Sequence, residues 1–278
     1  MIHLFHKVSE RCSRDTTGQY STSFFSAIKL LHKDLRQPIY NIYGFVRFAD
    51  EIVDSFHDFD KATLLAQFRQ ETNEAIRRGI SLNPILNSFQ RTVNAYGIEL
   101  NLVEAFFKSM EMDLNSTVYN FEEYRDYIYG SAEAVGLMCL RVFCEGNAEK
   151  YEKLKAPARL LGAAFQKVNF LRDVKADYDG LNRTYFPGCD FKNFSRTEKK
   201  RIEEDIQSNF NEAYNGILRL PVKARFGVYV AYKYYLSLFK KIRKLQPSGI
   251  MDQRIRIPNY SKAMIIIRAG VKNRLKLI

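Results

Sequence analysis

Two segments of the chain each carry a pair of aspartates four positions apart. They are RFADEIVD at residues 47–54, with Asp50 and Asp54, and QKVNFLRDVKAD at residues 166–177, with Asp173 and Asp177. On a helix, residues four positions apart lie on the same face, so each pair presents two carboxylates side by side. Such a pair destabilises even an exposed helix by about 0.2–0.5 kcal/mol. A positively charged group is therefore expected next to each pair.

Both pairs extend into longer polar stripes on helices that are otherwise apolar. The first stripe is Tyr43, Arg47, Asp50 and Asp54, and the second is Gln166, Asn169, Asp173 and Asp177. One acidic pair alone usually marks a solvated helix face. Apolar residues on both sides of the stripes instead predict helices that are buried over most of their circumference. Because an unpaired buried carboxylate is strongly penalised, the stripes must face a cavity or each other.

The donor types in the two stripes favour Mg²⁺ over zinc, since the stripes offer oxygen ligands and contain neither His nor Cys. Mg²⁺ typically binds one or two carboxylates and completes its shell with water and substrate phosphates. The sequence therefore predicts a phosphorylated substrate. Arg47, Lys175 and Arg183 are close enough in sequence to the aspartates to supply donors to a diphosphate.

The net charge points to an anionic partner. Lys and Arg exceed Asp and Glu by 12, which suits nucleic acid, anionic lipid or a phosphorylated small molecule. No helix-turn-helix, zinc or RNA-binding motif accompanies the charge, so we expect no nucleic acid partner. The four cysteines show no C-x-x-C spacing and are expected to be reduced thiols. We expect a cytoplasmic protein and leave peripheral contact with the inner membrane open.

The apolar pattern predicts an all-α fold. Apolar residues recur at three and four positions through nearly the whole chain, and strict alternation is scarce. We expect about eight to twelve helices, with breaks near residues 13–20, 79–84, 115–120, 145–148, 178–194 and 246–251. No linker-like composition interrupts the chain, so residues 1–278 are expected to form one domain.

The aromatic and small residues suggest the other half of a substrate. The chain contains 21 Phe and 17 Tyr, and small residues cluster in GSAEAVG at 130–136 and LGAAF at 161–165. A helical bundle of this composition can enclose a long apolar cavity. With the polar stripes at one end, the cavity would suit an anionic leaving group on a hydrocarbon chain, and aromatic faces stabilise a carbocation.

Five segments, taken in order, resemble the squalene and phytoene synthase family. They are STSF at 21–24, DEIVD at 50–54, YIYGSAEAVG at 127–136, NFLRDVKAD at 169–177 and NRTYFP at 182–187. The resemblance extends from about residue 10 to about residue 265. It implies a helical bundle of the isoprenoid synthase type around a central cavity, and a head-to-head condensation of two prenyl diphosphates through a cyclopropylcarbinyl diphosphate.

The resemblance also implies roles for individual residues. The implied metal ligands, for Mg²⁺ or alternatively Mn²⁺, are Asp50, Asp54, Asn169, Asp173 and Asp177. The implied substrate-binding residues are Tyr20, Ser21, Ser23, Tyr43, Arg47, Gln166, Arg172, Tyr235 and Arg254. The implied catalytic residues are Tyr129, Arg183 and Tyr185. One departure from the family pattern is Glu133, which stands where a glycine is frequent.

These observations support one function best and leave three alternatives to be compared with it. We expect an Mg²⁺-dependent prenyltransferase that makes phytoene from two geranylgeranyl diphosphates, the first step of carotenoid synthesis. The alternatives are a squalene or dehydrosqualene synthase using two farnesyl diphosphates, a non-catalytic assembly protein of the same fold, and a nucleic-acid-binding protein. We expect no nicotinamide cofactor, because YGFVRFADEIVD and YIYGSAEAVGLMCL resemble carotenoid-pathway enzymes of bacteria more than squalene synthases. The absence of two glycines in G-x-G spacing agrees with this expectation. Peripheral contact with a membrane is expected for release of the oily product.

Overall fold

The structure is a computed structural model that describes residues 1–115, 118–181, 185–189, 194–252 and 254–278, without the side chains of 176–181 and 251–252. Within this part of the chain the regular secondary structure is helical and no strand is present, so the predicted all-α class is confirmed. Thirteen α-helices are found here, and one π-helical segment joins two of them. The count exceeds the predicted range because α2 and α12 are very short.

The helices have the following bounds: α1 Ile2–Tyr20, α2 Thr22–Ile28, α3 Lys33–Ser55, α4 Lys61–Arg78, α5 Pro84–Tyr96, α6 Leu100–Asn115, α7 Phe121–Ile128, the π segment Tyr129–Glu133, α8 Ala134–Phe143, α9 Ala148–Leu181, α10 Arg196–Arg219, α11 Val222–Arg243, α12 Pro247–Asp252 and α13 Asn259–Arg274. No helix in the described ranges has the length and apolar character that crossing a membrane requires.

Most helix boundaries follow local signals in the sequence. The break at 79–84 is confirmed: Gly79 ends α4 with a φ of 72°, and Asn83 caps α5 through its side chain. The break at 13–20 was wrong, because α1 continues to Tyr20. Its polar residues are buried and satisfied there, since the hydroxyls of Ser13 and Ser88 lie 2.6 Å apart. The connection predicted at 246–251 is also wrong, since most of it forms α12.

Aromatic packing fixes the helix that carries the first aspartate pair. Phe45 of α3 is fully buried and stacks on Phe89 of α5, with ring centroids 3.9 Å apart. Phe68, Phe106 and Phe107 surround the same ring from α4 and α6. Such contacts add about 0.5–1.5 kcal/mol per pair beyond the burial of their area. The apolar side of α3 is thereby packed against α4, α5 and α6. The opposite side, which carries the first aspartate pair, faces the centre of the helical bundle.

The π segment packs closely on its neighbours through glycines. A Cβ on Gly130 would lie 2.1 Å from the Ala105 carbonyl oxygen of α6. A Cβ on Gly162 of α9 would lie 2.6 Å from the Ala132 carbonyl oxygen. Any larger residue would force these backbones apart, so the two glycines set the spacing of the π segment against α6 and α9.

We predict that alanine has opposite effects at two helical glycines. Gly130→Ala should destabilise the protein by about 1–3 kcal/mol, because the new methyl group meets backbone atoms that cannot move aside. Gly270→Ala is the matched control, since nothing lies within 4 Å of its Cβ position in α13. It should stabilise the protein by about 0.5–1 kcal/mol through the better helix propensity of alanine. Denaturant unfolding of both variants measures the change in the free energy of unfolding, which should be negative for Gly130→Ala and positive for Gly270→Ala. An unchanged stability of Gly130→Ala would contradict the close packing.

Candidate active site

A cavity of about 680 Å³ lies between α2, α3, α8, α9 and α11. One end, which we call the polar end, is lined by Tyr20, Ser21, Tyr43, Arg47, Asp50, Asp54, Asp113, Tyr127, Gln166, Asn169, Arg172, Asp173, Tyr185, Tyr235 and Arg254. The remainder, the apolar end, is lined by aliphatic, aromatic and small side chains that include Phe24, Val46, Val135, Phe165 and Ile217. The structure therefore brings the first stripe, and Gln166, Asn169 and Asp173 of the second, to one cavity.

Arg47 of the first stripe contacts both acidic and aromatic side chains. Its guanidinium forms ion pairs with Glu51 and, at 3.8 Å, with Asp50, and it lies 4.4 Å from the centre of the Tyr20 ring. Its Nε is buried and has no hydrogen-bond partner among the described residues. A buried guanidinium N–H without a partner is unfavourable, so this atom is a donor that an anion in the cavity would satisfy.

The carboxyl of Asp50 is unfavourable as an anion. Its pKa is raised from 3.8 to about 8, mainly by burial and also by the charges of Asp54 and Asp113, while Arg47 opposes the shift. The carboxyl groups of Asp54 and Asp113 therefore lie close enough to Asp50 to disfavour its charge, which Arg47 compensates only in part. A cation in this place would offset both the burial and the mutual repulsion of these groups.

The second stripe is compensated by two arginines. Asp173 forms ion pairs with Arg172 at 2.5 Å and with Arg254 at 2.8 Å, where Arg254 belongs to the segment between α12 and α13. Asn169 accepts a hydrogen bond from the Tyr235 hydroxyl at 3.2 Å. Gln166 donates to the Ser131 hydroxyl at 3.3 Å. Asp177 lies on α9, but its side chain is outside the described residues.

An acid that the sequence analysis missed lies at the polar end. Asp113 of α6 is buried and accepts hydrogen bonds from Tyr127 at 2.8 Å and from Tyr119 at 3.3 Å. Tyr185 packs beside Tyr127 and stacks on Phe170, with ring centroids 4.0 Å apart. The signal in the sequence was an aspartate three positions after Met110, on the apolar face of α6.

Of the two tyrosines in the segment YIYG, Tyr127 lines the cavity and Tyr129, for which the resemblance implies a catalytic role, does not. Tyr129 is absent from the cavity lining, and the guanidinium of Arg159 lies 5.3 Å from its ring centre. Residues two apart on a helix point about 200° apart, so only one of the two can face the cavity.

One other predicted residue, Ser23, does not line the cavity, and the position of another, Arg183, is not described. Ser23 is half-buried in α2 outside the lining, where its carbonyl accepts a bond from Ser26. Arg183 lies outside the described residues. The other predicted substrate-binding residues and Tyr185 line the cavity.

Glu133, the departure from the family pattern, does not line the cavity either. Its carboxylate accepts a hydrogen bond from Arg159 at 2.6 Å, and this pair joins the π segment to α9. The neighbouring Ala132 and Val135 contribute to the wall. The shape and charge of the cavity are therefore not altered directly by this carboxylate.

The donor set suits Mg²⁺ that is shared with a phosphorylated substrate. Where side chains are described, no three Asp, Glu, His or Cys residues group tightly enough to hold one ion by themselves. Mg²⁺ does not need such a group, because one or two carboxylates with water and phosphate oxygens complete its octahedron. Asp50 and Asp54 offer such oxygens, and the raised pKa of Asp50 marks a deficit of positive charge there.

The apolar end combines aromatic faces with closely packed backbone. Phe165 and Tyr235 stack with centroids 3.9 Å apart, and Phe24 tilts against both rings. Gly136, Gly162, Gly216 and Gly227 also line this end, so the helices approach one another closely around it. The wall can therefore hold a long hydrocarbon beside several π faces.

Comparisons with known proteins place the chain in a family and a fold. The model of the squalene/phytoene synthase family matches residues 17–261. The chain is 27% identical to a phytoene synthase from Arthrospira platensis, over 94% of this chain and 92% of that protein. It is 30% identical to a presqualene diphosphate synthase from Rhodopseudomonas palustris, over 60% of this chain and 58% of that protein. The crystal structure of a dehydrosqualene synthase superposes with a TM-score of 0.83 at 18% identity, covering 98% of both chains, and shares the all-α isoprenoid synthase fold.

We predict that Asp50→Asn stabilises the metal-free protein in a pH-dependent way. Because the folded state raises the pKa of Asp50 from 3.8 to about 8, ionisation destabilises the wild type increasingly as pH rises between these values. At pH 8 the free energy of unfolding of the variant should exceed that of the wild type by about 1–2 kcal/mol, and below about pH 4 the two should be equal. The gain is smaller than the pKa difference alone implies, because water in the cavity screens part of the charge interaction. Thermal melts in chelator across this range measure the difference. A variant less stable than wild type at pH 8 would contradict the charge deficit.

Proposed function

The chain belongs to the squalene/phytoene synthase family, and from this premise we propose that it joins two geranylgeranyl diphosphates head to head to form phytoene. The family consists of prenyltransferase-type synthases, so the protein is an enzyme of this kind. One observation carries the proposal: a single cavity has carboxylates and guanidinium groups at one end and an aromatic, apolar wall along the remainder.

The polar end would bind the diphosphates. The unpartnered Nε of Arg47 is a donor for a phosphate oxygen, and Tyr20, which packs on Arg47, holds the guanidinium in place. Arg172 and Arg254 approach from the other side of the cavity and would exchange part of their pairing with Asp173 for phosphate. Ser21, Tyr43 and Gln166 line the same end. Burial raises the pKa of Tyr43 to about 12, so its hydroxyl stays a donor at neutral pH.

The carboxylates would hold the metal. Asp50 and Asp54 from α3 face Asn169 and Asp173 from α9, and Asp177 follows one turn later on the same helix. Mg²⁺, or Mn²⁺ in its place, would neutralise the diphosphate as it leaves with its electron pair.

The aromatic wall would stabilise the cations that remain. When the C–O bond of the first substrate breaks, its allylic cation lies among rings such as Phe24, Phe165 and Tyr235. The double bond of the second substrate then supplies the electron pair for the new C–C bond. Loss of a proton closes a cyclopropane ring and gives the cyclopropylcarbinyl diphosphate. Loss of the second diphosphate, rearrangement and loss of one more proton give phytoene without a reductant.

Two hydroxyls at the polar end are the proposed catalytic groups of the chain. Tyr185 remains in this role, and Tyr127 takes the place assigned to Tyr129, because Asp113 orients its hydroxyl at the cavity wall. Burial and the neighbouring charge of Asp113 raise the pKa of Tyr127 well above its usual value. Tyr127 would therefore stay neutral, and it would orient the departing diphosphate by exchanging its hydrogen bond to Asp113 for one to a phosphate oxygen. Tyr185, which packs beside it, would contact the same group. Arg183 stays a prediction.

The fifteen-carbon reaction is the second candidate. The presqualene diphosphate synthase from Rhodopseudomonas palustris reaches 30% identity over 60% of the chain, and the same site would serve two farnesyl diphosphates. Under either reaction we propose a cytoplasmic enzyme that contacts a membrane peripherally, because its product is a hydrocarbon.

Product analysis tests the substrate assignment. With both prenyl diphosphates in competition and Mg²⁺ present, we expect phytoene as the main product, in equal amounts with and without NADPH. Phytoene formation ends in proton loss, whereas squalene formation needs a hydride. Dehydrosqualene or presqualene diphosphate as the main product would move the assignment to farnesyl diphosphate. Squalene formed only with NADPH would refute both the substrate and the reductant-free ending.

Thermal melts test the shared metal and diphosphate site. Mg²⁺ and pyrophosphate together should raise the melting temperature by more than the sum of their separate shifts, because each completes the binding site of the other. Asp173→Asn should abolish this excess. Asp126→Asn is the control, since Asp126 pairs with Lys108 outside the cavity and should leave the excess unchanged. Additive shifts in the wild type would contradict a shared site.

A further inference from the structure

Helix α13 is apolar on two opposite faces. Its inner face packs on α11, where Ala269 is buried and Ile265 and Ile266 contact the core. The other face carries large apolar side chains at steps of four, three, four and four, each between 45% and 73% exposed. We call this face the outer stripe: Tyr260, Met264, Ile267, Val271 and Leu275. A contiguous exposed patch of this kind marks an interaction surface.

Positive charge borders the outer stripe on both sides. At 100° per residue, Arg268 and Lys272 fall along one edge of the stripe and Arg274 along the other. The sequence from residue 254 to residue 278 contains seven Lys and Arg and no Asp or Glu. The surface therefore combines apolar side chains with positive charges and no negative ones. This pattern is typical of helices that lie in the headgroup layer of anionic membranes.

The outer stripe begins beside the polar end of the cavity. Lys262 of α13 donates to the Thr22 hydroxyl at 2.9 Å, and Thr22 follows Ser21 of the cavity lining. Arg254, which pairs with Asp173 in the cavity, precedes Tyr260 by six residues. A surface bound through the outer stripe would therefore lie next to the place where prenyl diphosphates bind.

We propose that the outer stripe docks the protein on an anionic lipid bilayer. The inference rests on the peripheral membrane contact proposed above and names the surface that makes it. A second copy of the chain fits less well, because a symmetric dimer through this face would bring the same cations of both copies together. A bilayer with acidic headgroups instead offers negative charge to the border and hydrocarbon to the stripe.

Vesicle sedimentation tests the docking surface with the full chain. The wild type should sediment with vesicles of phosphatidylcholine that contain phosphatidylglycerol, much less with phosphatidylcholine alone, and less as salt rises. The double variant Ile267→Glu, Val271→Glu should lower the bound fraction by about tenfold or more, because it places carboxylates in the stripe. The variant Arg268→Gln, Lys272→Gln should lose the preference for phosphatidylglycerol. All four sites are exposed, so circular dichroism should show intact folds.

Leu82→Glu is the matched control, because Leu82 is an exposed apolar residue in the loop between α4 and α5. It should bind vesicles as the wild type does. Equal binding by wild type and the Glu double variant would overturn the proposal. The proposal would also be overturned if the wild type bound no vesicles and instead formed a dimer that the Glu double variant abolished. The outer stripe would then bind a second copy of the chain. The assay contains no substrate, so such results would leave the proposed condensation standing.

Discussion

The gathering of carboxyl groups at one end of a buried cavity is the constraint on which the remaining structure depends. Asp50 and Asp54 come from α3 and Asp113 from α6, two helices that pack on each other through Phe45, Phe106 and Phe107, and the pKa of Asp50 rises to about 8. Left to themselves, such groups would separate or become protonated. The helices must therefore be held rigidly enough to keep them together. In the proposed enzyme, the binding of Mg²⁺ would relieve this repulsion.

The rigidity comes from contacts between the helices, most of them on the sides that face away from the cavity. Phe45 of α3 lies within a cluster of phenylalanines, and Lys167 of α9 bonds to Asp205 and Asn209 of α10. Close backbone packing at Gly130 and Gly162 fixes the π segment between α6 and α9. Each helix thus keeps its polar face toward the cavity because its other face has a specific partner.

The two aspartate stripes differ in how their charge is compensated. Asp173 has two guanidinium partners, whereas Asp50 has Arg47, which also pairs with Glu51, and its pKa is raised to about 8. The same cavity therefore offers a carboxyl group whose ionised form is disfavoured beside arginines that can turn to a new anion. This difference suits the joint binding of a cation and a diphosphate. The cation would compensate the carboxyl groups, and the diphosphate would pair with the arginines.

The sequence alone determined which residues share a helix face. The 3.6-residue period placed Arg47, Asp50 and Asp54 together, as well as Gln166, Asn169 and Asp173, and the apolar flanks showed that both faces are buried. Periodicity does not tell how a helix is rotated against its neighbours, so it did not separate Tyr127 from Tyr129, reveal Asp113, or show that Glu133 turns to Arg159. Tertiary packing decided these points. The π segment Tyr129–Glu133 shifts the phase of the helix, and contacts with α6 and α9 select which side chains reach the cavity.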